Sequence, residues 1–279
     1  MKNALISGGT SGIGHSVVRA LLRDGYQVSF IGRNGDKGRA VEAALNARHE
    51  GRAAFVQLDL SSVKNVQAFA RDFAKKHDSL DLLANIAGAM IPERTLTEER
   101  LEKTFAIGYM SAFVLSTELG PLLAKARGRI SNVAGVPTFV FKAKLDFDDI
   151  GFATKYSSFK TAITTVHAKT VLTEILAEKY AGQGIDVNSF DPGAVRSDLM
   201  KNMKSGKRVL FGFLNLFMAK ESKPGIYVCT AAEIEGVTGK FFVKRTPREL
   251  NFDQGYKVRL WNLSETLVGQ IEANGTASY

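Results

Sequence analysis

The sequence predicts an α/β fold, a doubly wound and mostly parallel sheet of seven strands with helices on both faces. Two observations predict it. Short apolar or β-branched runs alternate with helix-length amphipathic segments, an arrangement that builds a parallel sheet covered on both sides. A glycine-rich turn also joins the first run to the first helix, where a strand–turn–helix unit needs a sharp reversal.

In chain order the strand-like runs are NALIS (3–7), QVSFIG (27–32), AAFVQLDL (53–60), LDLLANIAG (80–88), GRISNVAG (128–135), GIDVNSFDPG (184–193) and GKFFV (239–243). Between them, residues 12–24, 36–49, 62–77, 97–126 and about 158–181 carry helical periodicity. No proline- or glycine-rich linker interrupts the series, so residues 1–279 are expected to form one domain.

Composition narrows the function classes. The net charge of +9 is spread along the chain, and its densest cluster, KNMKSGKR at 201–208, is short. A nucleic-acid partner is therefore not expected, and the surplus suits a phosphate-bearing ligand. A single cysteine, Cys229, excludes an internal disulfide and fits a reducing, cytoplasmic setting. Met1 leads directly into an apolar strand, so no signal peptide is expected. The apolar run VLFGFLNLFMA (209–219) is flanked by Lys207, Arg208, Lys220 and Lys223. It falls short of the ~20 residues that span a bilayer. The segment 196–221 is read as a lid over a ligand pocket, with a core helix or a peripheral membrane contact as alternatives. The four histidines, His15, His49, His77 and His167, lack metal-ligand spacing, and no metal is expected. His15 adjoins Gly14 and faces a phosphate on this reading, His49 and His77 are taken as exposed helix ends, and His167 as packing.

The turn LISGGTSGIGHSVVRALL carries the strongest chemistry. Gly8, Gly12 and Gly14 let the backbone turn and approach a pyrophosphate, whose charge would sit at the following helix N-terminus. The second strand ends in FIGRN, where Arg33 stands at the position an acidic residue would use to bind a ribose 2′-hydroxyl. A guanidinium there suits a 2′-phosphate, hence NADP(H). Asp59 ends the third strand, either to accept from an adenine amino group or to serve a helix N-terminus. Small residues in ANIAG, Asn85 to Gly88, let the backbone pass close to a ribose.

These motifs, with DPGAVRSDL at 191–199, resemble the short-chain dehydrogenase/reductase family along nearly the whole chain. The runs LDFDDI…KYS and RLWNLSETLVG resemble its retinol-dehydrogenase-like branch. The resemblance implies a Rossmann fold, NADP(H) and hydride transfer to or from a ketone or alcohol. It adds Thr10, Ser11 and Ile13 of the glycine motif, Asn34, and Ser197 at the nicotinamide end to the cofactor-binding set. In many relatives the segment around 158–181 pairs subunits, so a homo-oligomer stays open.

The family also implies an Asn–Ser–Tyr–Lys catalytic tetrad. Tyr156 and Lys160, four apart in ATKYSSFKTA, look like its Tyr–Lys pair, since on a helix they would share a face. The family spacing says otherwise. Its tyrosine precedes the VN asparagine by about 26 residues, a distance kept rigid because each inserted helical residue slides the helix by about 1.5 Å. Counted back from Asn188, the tyrosine position is Ala162 and the lysine position Val166. Thr173, Leu176, Ala177 and Gly182 fall on family positions without a gap. Gly135 stands for the serine and Gly108 for the asparagine.

Two readings follow. One is a non-canonical NADP(H) enzyme acting on a large hydrophobic small molecule, with hydride transfer lacking the usual Tyr–Lys pair and no catalytic residue assigned. Thr138, Tyr109, Tyr156 and Lys169 are candidates near its pocket. The other is a non-redox cyclase or isomerase, or a silent binding partner, on the same fold.

Overall fold

The computed structural model describes residues 1–196 and 219–278. Ser197 and nearly all of the 196–221 segment lie outside the described residues. The described strands are β1 (Asn3–Ser7), β2 (Gln27–Gly32), β3 (Ala53–Gln57), β4 (Leu82–Asn85), β5 (Arg129–Val133), β6 (Asp186–Asp191), β7 (Lys240–Val243) and β8 (Thr246–Glu249). They form one sheet in the order β3-β2-β1-β4-β5-β6-β7-β8. All neighbours are parallel except the last pair. The expected doubly wound sheet is present, with eight strands rather than seven. The extra one, β8, returns from β7 through a two-residue turn with Lys244 at φ 57°. All four of its residues are exposed and one is Pro247, so it carries no apolar alternation and sits where proline is tolerated, at a sheet edge.

Strand alternation sends side chains to two cores. Leu5, Ile31, Leu83, Ile130 and Val187 face α3 (Val63–Lys76), α4 (Lys103–Glu118), α7 (Ser158–Lys179) and α9 (Gln254–Asn274). Ala4, Ile6, Phe30, Leu82 and Phe190 face α1 (Gly12–Arg23), α2 (Gly35–His49) and α8 (Lys223–Thr230).

The 97–126 helix is broken at both ends. Leu96 bridges to Glu102 in an antiparallel turn with Arg100 at φ 66°, so α4 starts only at Lys103. The Glu102 carboxylate caps it by accepting from Phe105 N–H. At Leu119 the chain bends by 57° into α5 (Gly120–Ala126). Residues Ala106–Met110 of α4 form a π-helical bulge around Gly108, a distortion frequent at functional sites.

The C-terminal helix α9 closes over α4 and α7. Asp253 caps its start and Gly275, at φ 75°, ends it. Leu260, Leu267 and Ile271 enter the core, Trp261 packs edge-on against Phe113, and the buried Lys257 ammonium bridges Glu174 and Glu178 of α7.

Candidate active site

The strand order reverses between β1 and β4, and ligands of open α/β sheets bind at the carboxyl ends of strands beside such a point. Ser7 and Asn85 are register partners there. The Ser7 hydroxyl joins the two strand ends, accepting from Ile86 and Ala87 N–H at 3.0 and 3.1 Å. Ser7 was not singled out in the sequence, because a serine inside an apolar strand carries no local mark.

The phosphate end is built from backbone. Gly8 (φ 75°) and Gly12 (φ 55°) hold left-handed conformations in the turn. A Cβ on Gly14 would stand 2.2 Å from the Gly8 carbonyl oxygen, so only glycine allows α1 to start so close to the turn. Gly9, missed as a requirement, is nearly as tight, since its Cβ would meet Phe30 Cβ at 2.5 Å. Ser11 is the N-cap of α1 but makes no side-chain cap, and the first turn, which includes Ile13, holds no acid. The first N–H groups of α1 therefore face the turn without an intrahelical partner, as an anionic ligand requires. Thr10 packs over Gly32, whose Cβ would lie 2.5 Å from its methyl group.

Arg33 is exposed at the end of β2, with its carbonyl accepting from Gln57. Asn34 caps α2 through Lys37 N–H at 2.8 Å, which gives it a structural task beside any ligand contact. Asp59 is partly buried, which raises its carboxyl pKa. Hydrogen bonds from Ser61 and the charges of Lys103 and Arg33 outweigh that and keep it below the usual range. It therefore stands as an ionised acceptor. His15 lies over the same turn, its Nδ1 buried without a partner, and burial with the nearby Arg19 and Lys37 charges lowers its pKa.

Beyond the end of β5 the structure brings Gly135 against Val166 of α7 and Gly108 of α4 against Thr165 of α7, with Ala162 one turn before Val166. A Cβ on Gly135 would lie 3.6 Å from Val166 Cγ1, and one on Gly108 would meet Thr165 Cγ2 at 2.6 Å. Ala162, Ile163 and Val166 are partly exposed on α7. A Cβ at Gly88 would meet nothing within 4 Å, which leaves room beside the backbone. Below this surface lies a polar chain. Asn85 Nδ2 donates to Ser116 Oγ and Asn132 Oδ1, and Asn132 donates to Thr173 Oγ1. Lys169 Nζ donates to the Asn85 and Ala87 carbonyls at 3.3 and 3.4 Å.

Tyr156 and Lys160 do not share a helix face. Ser157 is the N-cap of α7, so Tyr156 precedes the helix while Lys160 is exposed in its first turn. The Tyr156 hydroxyl donates to the Ile91 carbonyl at 2.6 Å. Burial first, and then the Glu102 charge, raises its pKa. Glu102, 1% exposed, was also missed, and burial foremost raises its own pKa. Tyr109 does not reach a pocket, since it is fully buried with its hydroxyl on Ser264 of α9. Thr138 is exposed in the single turn α6 (Pro137–Val140). His167 is packing, joined to the Val140 carbonyl and the Tyr256 hydroxyl. His49 and His77 end their helices half-buried rather than exposed, His77 stacking on Phe73. Among the described residues no cluster suits a metal ion, and no single helix is long and apolar enough to cross a membrane. An open groove of about 650 Å³ lined by Trp261 and Tyr180 lies where α4 and α7 finish.

A family model described as short chain dehydrogenase matches residues 2–208. The chain belongs to the short-chain dehydrogenase family. Within it the chain is retinol-dehydrogenase-like. Retinol dehydrogenase 13 of Mus musculus is 29% identical over 99% of this chain and 86% of its own length. Polyprenol dehydrogenase of Mus musculus is 31% identical, over 98% and 86%. Short-chain dehydrogenase TIC 32 B, chloroplastic, of Brassica napus is 30% identical, over 96% and 89%. Among solved structures, an uncharacterized protein from Mycobacterium paratuberculosis superposes with a TM-score of 0.73 at 21% identity, covering 96% of this chain and 94% of that one. A short chain dehydrogenase from Escherichia coli CFT073 complexed with NADPH gives 0.64 at 19%, covering 88% and 97%. Both likenesses show the fold. In this short-chain dehydrogenase fold, the glycine turn and the strand-order reversal lie together at the carboxyl ends of β1 and β4.

Proposed function

We propose that the chain is an NADP(H)-dependent oxidoreductase of a large hydrophobic small molecule, and that it works without the tyrosine and lysine of its family. The cofactor reading is supported by the turn that admits only glycine at 14, the uncapped α1 N-terminus and the exposed Arg33. When bound, NADPH supplies a hydride. The chain's own residues bind and orient: α1 N–H groups take the pyrophosphate, Arg33 the 2′-phosphate, and the Asn85–Gly88 backbone passes the ribose.

The observation that carries the catalytic part is the corner where the Cβ position of Gly135 lies 3.6 Å from Val166, with Ala162 one turn earlier on α7. On the family spacing these are the serine, lysine and tyrosine positions, and here they hold no proton-transfer group. A positioned general acid contributes typically about 10²–10⁴-fold, so the reaction is slow or uses a substrate that needs little proton assistance, such as an iminium or a conjugated enone. Around the corner Val136, Phe139 and Phe159 are about half exposed, and the two phenylalanine rings meet edge-on at 5.7 Å. That apolar rim suits a long hydrocarbon, in keeping with relatives named for retinol and polyprenol.

The test is direct. Purified protein is mixed with NADPH and a conjugated isoprenoid aldehyde, and loss of NADPH absorbance is followed. Slow turnover that Tyr156→Phe leaves within a few-fold supports the reading. Tight NADPH binding without oxidation by any aldehyde, enone or imine favours the second reading, a non-redox or partner role on a retained cofactor. That reading draws on the same aliphatic corner.

A further inference from the structure

Lys169 is 1% exposed, yet among the described residues no carboxylate meets its ammonium. Its two hydrogen-bond acceptors are the Asn85 and Ala87 carbonyls, at the strand end where the cleft forms. The side chains joined to that site from β4, β5, α4 and α7 are Asn85, Asn132, Ser116 and Thr173, all uncharged. The nearest histidine in sequence, His167, is turned away to Val140 and Tyr256. Burial alone lowers the Lys169 pKa, to about 7. A methionine would fill the same volume without the cost of burying an unpaired charge, which is high. Among the described residues, then, this lysine has two carbonyl acceptors and no counter-charge.

We propose that Lys169 is a positioning residue for the bound dinucleotide: hung from the Asn85 and Ala87 carbonyls, its ammonium supplies from below the cradle the positive charge that position 166 lacks. The proposal rests on the NADP(H) reading. Lys169 lies three residues past Val166, about 4.5 Å further along α7 on roughly the same face. An anionic dinucleotide over the cradle favours the ammonium form and raises the amine pKa in the complex. Binding then takes up a proton between the free and the bound values. The cofactor affinity is complete below the free value and falls as pH rises, until the bound value is passed.

The measurement is NADPH titration calorimetry at about pH 8, in phosphate and in Tris, whose ionisation heats differ. At this pH the 2′-phosphate is already dianionic, because its second pKa is about 6. The wild-type chain is expected to take up roughly half a proton or more, and to bind about tenfold more weakly near pH 9 than near pH 7. Lys169→Met, and Lys169→Arg with its permanent charge, are expected to take up none and to show a flat profile. His15→Asn is expected to leave the uptake unchanged. NADPH binding with equal heats in the two buffers overturns the proposal, as does uptake that survives Lys169→Met or disappears in His15→Asn. If the Lys169 variants fail to fold, the wild-type and His15→Asn titrations still decide. Absence of NADPH binding at every pH overturns the cofactor reading itself, and this proposal with it.

Discussion

The two ends of the cleft are built from different materials. At the proposed phosphate end the parts are mostly backbone: glycines at 8, 12 and 14 and the uncapped start of α1, with the Arg33 side chain beside them. At the nicotinamide end the family's working parts are side chains, and on the proposed reading this chain presents Gly108, Gly135, Ala162 and Val166 instead. Backbone sites resist change because Gly8 and Gly14 are enforced by neighbouring atoms and Gly12 by its left-handed φ. Side-chain sites can be rewritten while the helix and strand beneath keep their packing. On the proposed reading, the fold and the cofactor cradle persist while the proton chemistry is replaced.

Gly14→Ala should give the largest effect, because its Cβ meets a carbonyl oxygen at 2.2 Å. We expect NADPH binding to fall by a hundredfold or more, with a stability loss of about 3 kcal/mol from overpacking, read by fluorescence titration and thermal melting. A variant that binds normally would break the claim that backbone enforces this end. Next, Arg33→Ala should weaken NADPH about thirtyfold, the ~2 kcal/mol of a charged hydrogen bond, and leave NADH nearly unchanged. Equal weakening of both would remove the 2′-phosphate contact.

At the other end the effects should be smaller, and that contrast is the point. Tyr156→Phe removes one hydrogen bond to Ile91. It should cost about 1 kcal/mol of stability and change turnover by no more than a few-fold. A loss of several hundredfold would place the phenol at the reacting atoms and end the comparison. Smallest of all, Gly135→Ser should be accommodated, since its Cβ would meet Val140 and Val166 at 3.4 and 3.6 Å, ordinary contact distances. A stability change above about 1 kcal/mol by thermal melting would mean that the glycine is required by packing.

Much of the glycine turn's geometry was legible because glycine, N-cap and strand-end residues act within a few positions of one another. Asn34 shows the limit: the sequence places it beside a ligand, while the structure also gives it the cap of α2. Gly9 was missed because its reason, Phe30, lies in the next strand. The proposed nicotinamide end rests on spacing along α7, which points to positions but not to what stands near them. Tyr109 shows why, since its hydroxyl partner Ser264 is 155 residues away.

By itself the sequence determined the alternation of strands and helices, the glycine turn and the rigid interval between α7 and β6, because each rests on local periodicity and backbone geometry. Only the tertiary structure decided that β8 adds an edge, that α9 closes over α4 and α7, and that Tyr156 is tied to Ile91. It alone set the Lys169 ammonium under the Asn85 and Ala87 carbonyls. Those contacts join residues far apart in the chain, and their partners are chosen when the elements pack, by which groups remain to be satisfied once water is excluded.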